Sequence, residues 1–182
     1  MIEVERKYRG TAEALDAVDT VVGGATERVD QTDLYLNAPD RDFASTDEAL
    51  RLRSTTPTDG DTHVMITYKG PRSADAAKAR TEHEVGVETL ETTAAIFTAL
   101  GYTEVARVRK HRRRCRWGDV EVSIDTLGTG DRYIELEQVV ADADAVAAAD
   151  AELAARAAQL GLSAAELEPR SYLELVLADA QQ

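Results

Sequence analysis

The sequence predicts an α+β fold: a closed eight-stranded antiparallel β-barrel, a tunnel with a charged lumen, and helices packed on its outside. Three observations carry that expectation. Eight segments alternate as strands do, at about 2–8, 27–36, 49–55, 62–69, 80–88, 104–117, 119–126 and 132–140. The polar parity in strand after strand is nearly pure Glu and Arg/Lys, whereas a solvated face carries mixed Thr, Ser, Gln and Lys. The opposite parity is Val, Leu and Ile, as expected where apolar helix stripes cover a sheet. A sheet with one wet face would also alternate, but eight strands can close on themselves, and a charged interior is tolerable when both signs are present.

The elements follow in order from spacing, since residues two apart share a face of a strand. In the first strand Glu3, Glu5 and Lys7 share one face, opposite Val4, Arg6 and Tyr8. Thr11 can cap a helix running to about Val22, with Glu13 in its first turn and no full capping box, because Ala14 stands where Glu or Gln would reach back. Arg51 and Arg53 oppose Leu50 and Leu52; Thr67 and Lys69 oppose Ile66 and Tyr68; Arg80, Glu82 and Glu84 oppose Val85 and Val87. Leu90 to Leu100 reads as a helix stopped by Gly101. Lys110, Arg112 and Arg114 alternate with His111, Arg113 and Cys115. Glu121, Ser123 and Asp125 oppose Val120, Val122 and Ile124, and Glu135 and Glu137 oppose Ile134 and Leu136. An Ala-rich helix spans Asp144 to Leu160 and stops at Gly161. Ser163 with Glu166 starts a further helical turn, and Arg170 to Asp179 forms a last helix after Pro169. Ser54 to Asp61 and Pro71 to Lys78 read as polar loops.

Length and composition bound the function. The 182 residues fit one domain, 1–182, and 43% hydrophobic content supplies a core. The longest apolar run is five residues, Ala145 to Ala149, which speaks against a membrane span or a signal peptide and predicts a cytoplasmic protein. The lone Cys115 builds neither an internal disulfide nor a thiolate zinc site and reads as a small buried hydrophobe. His63, His83 and His111 lack metal-ligand spacing. The net charge is −13, from 34 Asp+Glu against 21 Lys+Arg, and only four of the cations are Lys. An acidic, Lys-poor surface suits a halophile's cytosol. A chain this acidic repels nucleic acid at long range, so any phosphate ligand must be held by cations gathered locally. The densest run, Arg107 to Arg116, alternates within a strand, which splits it between two faces and argues against a nucleic-acid patch.

Read as chemistry, Glu3, Glu5, Glu135 and Glu137 offer hard oxygen ligands from two strands, the kind that Mg²⁺ or Mn²⁺ prefers. Arg51, Arg53, Lys69, Lys110 and Arg112 lie on the same parity as donors for phosphate oxygens. The ordered series Glu3-x-Glu5-x-Lys7, Asp33-x-Tyr35, Arg51-x-Arg53, Thr67-Tyr68-Lys69, Arg80-x-Glu82-x-Glu84, Lys110-x-Arg112, Asp125, Glu135-x-Glu137 and Ser171-Tyr172 spans nearly the whole chain. It resembles the CYTH superfamily of triphosphate tunnel enzymes, which includes class IV adenylate cyclases and thiamine triphosphatases.

That resemblance implies a metal-dependent enzyme acting on a triphosphate. Glu3, Glu5 and Glu135 are implied as direct ligands of Mg²⁺ or Mn²⁺, with Glu137 and Asp125 ligating or orienting metal-bound water. Arg51, Arg53, Lys69, Lys110 and Arg112 are implied as phosphate-binding cations. Lys7 either contacts phosphate or holds Glu3 and Glu5; with Glu5 and Tyr35 it makes up the expected catalytic set, Tyr35 orienting a nucleophile or simply packing. Glu82 and Glu84, with Arg80, either contact metal or nucleotide or neutralise nearby arginines. The second half, Leu100-Gly101-Tyr102 leading into Val108-x-Lys110-x-Arg112, and Asp125-x-x-Gly128 before Glu135, is more similar to class IV cyclases and their archaeal relatives. The expected reaction is ATP to cyclic AMP and pyrophosphate, with hydrolysis of thiamine triphosphate, inorganic triphosphate or a nucleoside triphosphate, or binding without turnover, as the alternatives. A homodimer is an expectation from the same resemblance.

Overall fold

A computed structural model describes residues 2–71 and 81–180. Eight strands are present: β1 (Ile2–Arg9), β2 (Glu27–Asn37), β3 (Ala49–Pro57), β4 (His63–Lys69), β5 (Glu82–Val87), β6 (Thr103–Trp117), β7 (Val120–Leu127) and β8 (Arg132–Val140). The helices are α1 (Ala12–Ala17), α2 (Leu90–Ala99), α3 (Val146–Gln159) and α4 (Tyr172–Asp179). All eight predicted strands form within a few residues of their expected ends. The helix predicted from Thr11 to Val22 is α1 capped by the Thr11 side chain, continued by a π-helical stretch over Val18–Val22. The Ser163–Glu166 segment is a turn rather than a helix, tied by Glu166 accepting from the Ser163 amide and hydroxyl. β3 runs on to Pro57, into the predicted loop.

The hydrogen-bonded strand order is β1-β8-β7-β6-β2-β3-β4-β5. Among the described residues β1 and β5 are therefore edges, and the sheet is open, not the closed barrel and tunnel that the alternation predicts. Closure requires a ladder between the first and last strands of this order, and alternation carries no information about it: the pleat assigns faces, while closure depends on stagger and tilt. β5 fits an edge, since five of its six residues are exposed.

Two compact units make up the chain: Met1–Val29 with Lys110–Pro169, and Asp30–Arg109 with Arg170–Gln182. In the first, β1 pairs with β8, β8 with β7, and β7 with the C-terminal part of β6, all antiparallel. Val4, Tyr8, Val120, Val122, Ile124, Ile134 and Leu136 point to one face and pack against Leu15 and Val18 and against Leu153, Ala157 and Leu160. Cys115 lies in this core, as its sequence context suggests, and burial pushes its thiol pKa up, which keeps it unreactive. Arg6 is the one charged residue of β1 on this face, and α3 answers it: Asp150 accepts from Nε at 2.8 Å and Nη2 at 2.7 Å.

In the second unit β3 pairs with β4 and β4 with β5, again antiparallel. Leu34, Leu36, Leu50, Leu52 and Val64 form the core with Phe43 and with Leu90 of α2. Gly101 ends α2 at φ +90°, where a side chain would be strained and would press on Pro39. Ser171 and Glu174 form a capping box that starts α4. No helix among the described residues is long and apolar enough to cross a membrane.

Candidate functional site

The apolar faces are spoken for by helices, so the charged parity of each unit is where chemistry can reside. In the first unit, strand register sets that face out in rows. Glu5 on β1 stands opposite Glu137 on β8, and Glu137 opposite Glu121 on β7. Directly opposed side chains have Cβ atoms about 5 Å apart, so three carboxylates on adjacent strands crowd one another. Burial, then Glu3, Glu121 and Glu5, push the Glu137 pKa up to about 8. Glu5 is pushed up to about 7 by burial and by Glu135, against the pull of Lys7. Its side chain keeps 39% of its surface open, so carboxylate crowding counts here together with burial.

The next row holds Lys7 opposite Glu135, Glu135 opposite Ser123, and Ser123 opposite Arg114. Lys7 Nζ lies 3.7 Å from Glu135 and 4.0 Å from Glu5. One step further along the sheet, Asp125 is fully buried and accepts from Lys110 Nζ at 3.1 Å and from Arg112 Nε at 2.7 Å. Arg112 Nη2 donates to both Asp125 and Glu135. Lys7, Lys110, Arg112, Asp125 and Glu135 thus form one buried network of both signs. Arg114 Nη1 pairs with Glu27 at 2.5 Å, and its Nε lies 3.2 Å from Glu121.

The acid row fits a hard divalent ion in kind: oxygen donors only, crowded and short of positive charge. As they stand, no three His, Cys, Asp or Glu side chains among the described residues are gathered closely enough to cage an ion. Binding one would draw the glutamates inward and displace their protons.

The second unit carries a separate charged face. Arg53 is locked to Asp33 by two 2.6 Å hydrogen bonds, and Lys69 Nζ donates to Glu82 at 2.6 Å. Arg51, Thr67 and Glu84 occupy one row across β3, β4 and β5. Burial and Asp33 raise the phenol pKa of Tyr35, against the pull of Arg51 and Arg53. Arg80 lies outside the described residues.

The structure therefore brings Glu3, Glu5, Glu135, Glu137, Lys7, Lys110, Arg112 and Asp125 onto one face of the first unit, and Tyr35, Arg51, Arg53, Lys69, Glu82 and Glu84 onto one face of the second. Asp125, expected to ligate or orient a metal, spends both carboxylate oxygens on Lys110 and Arg112. Three residues gain a place that the sequence did not give them: Glu121 in the acid row, Thr67 against Arg51, and Glu27 against Arg114. Parity flagged the first two, since each shares its strand face with an expected site residue; nothing local marks Glu27.

The CYTH domain model matches residues 1–172, and the chain belongs to that family. A Methanocaldococcus jannaschii protein, provisionally named an adenylate cyclase, is 38% identical over 145 residues, covering 80% of each chain. Adenylate cyclase CyaB of Aeromonas hydrophila is 30% identical over 179 residues, covering 95% of this chain and 87% of its own. Among solved structures, the Pyrococcus horikoshii protein PH1819 superposes with a TM-score of 0.87 at 32% identity, covering 98% of this chain and 99% of that one. A Hippeastrum protein described as a provisional adenylyl cyclase with a dominant triphosphatase activity shares the fold, with a TM-score of 0.68 at 14% identity over 98% of this chain and 96% of its own.

Proposed function

We propose that this protein is a Mg²⁺- or Mn²⁺-dependent enzyme that converts ATP to cyclic AMP and pyrophosphate. The observation that carries the reading is the in-register row Glu5–Glu137–Glu121, left short of cations beside a buried network that holds three of them. An acid row held partly protonated near neutrality fits a divalent ion, and cations already held in place fit phosphate. Family membership and the names of the two curated relatives support the cyclase reaction.

In this reading Glu3, Glu5 and Glu137 hold the metal, with Glu135 shared between metal and cations. An ion held there would offset the charge of the phosphate groups. In the first unit Lys7, Lys110 and Arg112 bind phosphate oxygens, and Asp125 keeps Lys110 and Arg112 in place; Arg51, Arg53 and Lys69 are the phosphate-binding cations of the second. Tyr35 orients the attacking ribose 3′-hydroxyl toward the α-phosphorus. Glu82 holds Lys69. The protein works in the cytoplasm on a small molecule, without nucleic acid or membrane, as a monomer or homodimer. A second reading, hydrolysis of a terminal phosphate, is favoured by the activity described for the Hippeastrum protein.

A product assay decides between them. ATP, thiamine triphosphate and inorganic triphosphate are offered separately with Mg²⁺ or Mn²⁺ in molar salt, and products are resolved by chromatography and phosphorus NMR. Cyclic AMP with pyrophosphate is expected; orthophosphate with a diphosphate would replace the cyclase by the triphosphatase. Glu3→Gln and Glu135→Gln should each lower turnover at least a hundredfold with the fold retained. Normal turnover in both would sink the metal assignment, and tight binding without any product would leave a binding module.

A further inference from the structure

We propose that Thr67, backed by Glu84, is a positioning residue that presets Arg51 for an anionic ligand; the inference rests on the assignment of Arg51 to triphosphate above. The three residues lie in one row on adjacent strands. The Thr67 hydroxyl accepts from Arg51 Nη2 at 3.4 Å and donates to Glu84 Oε1 at 2.7 Å. A hydroxyl has one proton to donate and a carboxylate oxygen accepts, so donating to Glu84 leaves the Thr67 oxygen with a lone pair facing Arg51. Thr67 is 1% exposed and β-branched, which fixes where its oxygen sits.

The contrast with Arg53 shows what this arrangement achieves. Arg53 spends Nε and Nη2 on the Asp33 carboxylate, so its charge is met inside the protein. Arg51 donates to a neutral hydroxyl, that of Thr67, with the nearest carboxylate of its row set one side chain further away. Its Nε is buried and finds no hydrogen-bond acceptor among the described residues. A buried donor without an acceptor is costly unless something outside the chain completes it, and a side chain already ordered loses less freedom on binding. Arg51 is thereby a cation kept oriented, charged and incomplete.

The test is a calorimetric titration of inorganic tripolyphosphate in excess Mg²⁺ into wild type, Arg51→Ala, Thr67→Val, Thr67→Ser and the Arg51→Ala/Thr67→Val double variant. Thr67→Val should weaken binding about tenfold, the scale of one hydrogen bond to a charged group. Thr67→Ser should bind as wild type, and the double variant no more weakly than Arg51→Ala alone. Mg²⁺ affinity measured without phosphate should not move. An equal loss from Thr67→Val in both backgrounds, or no loss in the wild-type background while Arg51→Ala is weakened, overturns the inference. If Arg51→Ala itself binds normally, the assignment of Arg51 falls and the inference with it. Should Thr67→Val fail to fold, Glu84→Ala, at an exposed position, takes its place, with a few-fold loss expected only where Arg51 is present.

Discussion

Replacing Asp125 by Asn keeps the shape of the side chain and removes one charge from the middle of the buried network. Asp125 is inaccessible to solvent, and the two cations it holds are nearly so, Lys110 at 3% and Arg112 at 8% side-chain exposure. Within the group Lys7, Lys110, Arg112, Asp125 and Glu135, three positive charges face two negative ones; in the variant they face one. Stranding a buried charge by deleting its partner costs about 3–5 kcal/mol, far above the roughly 0–1 kcal/mol of an exposed pair. In a protein of this length each kcal/mol moves the melting temperature about 2–4 °C, so the expected fall is about 6–20 °C. The assay is urea unfolding followed by circular dichroism, with the midpoint shifted and the slope unchanged. Repeating it in 1 M NaCl should preserve most of the loss, because buried pairs are little screened. A loss below about 1 kcal/mol would refute the reasoning and mean that Lys110 and Arg112 find their compensation elsewhere.

Two further outcomes follow from the same geometry. Glu137 and Glu5 are raised from the ordinary 4.5 to about 8 and about 7, so their share of stability is complete below pH 4.5 and is lost as pH rises through 7 to 8. Without divalent ions the urea midpoint should fall between about pH 4.5 and 8 and level off above, Glu137→Gln should flatten the fall, and Mg²⁺ affinity should rise over the same window as protons are displaced; a flat wild-type profile would show that the row ionises freely. Leu153→Ala, at a fully buried position of α3, should cost about 2–5 kcal/mol in urea unfolding, and a loss under 1 kcal/mol would mean that α3 does not seal the apolar face of the first unit.

The strands were legible because their signal is short-ranged. Alternation in Glu3-Val4-Glu5 or Arg51-Leu52-Arg53 needs no knowledge of neighbours, and the observed strands begin and end close to the predicted points. Helix ends marked by local chemistry, Thr11 and Gly101, were equally legible. What stayed hidden is set by distance. Closure of the sheet depends on whether its first and last strands in space meet, and neither β1 nor β5 carries a residue that records the answer. The Ser163 turn failed for a related reason: the Glu166 side chain that helps start a helix serves equally well to close a turn on Ser163.

The site divides along the same line. Parity is enough to place a side chain on a face, so the residues expected to act together do share faces. Register, which decides who stands opposite whom, is what promoted Glu121: nothing in Val120-Glu121-Val122 distinguishes it, but pairing with β8 sets it against Glu137. A third level, the choice of partner, separates Asp125 from the glutamates. Asp125 and Glu135 face the same way from adjacent strands, yet Arg112 lies directly across from Asp125, and Lys110 reaches it from two residues earlier on β6. The short aspartate is thereby fixed between two cations, while the row of Glu5, Glu137 and Glu121 has none in register except Arg116, which stands opposite Glu121. Carboxylates on one face thus divide between Asp125, which anchors two cations, and the glutamates, which crowd one another, and register sets which of them meet.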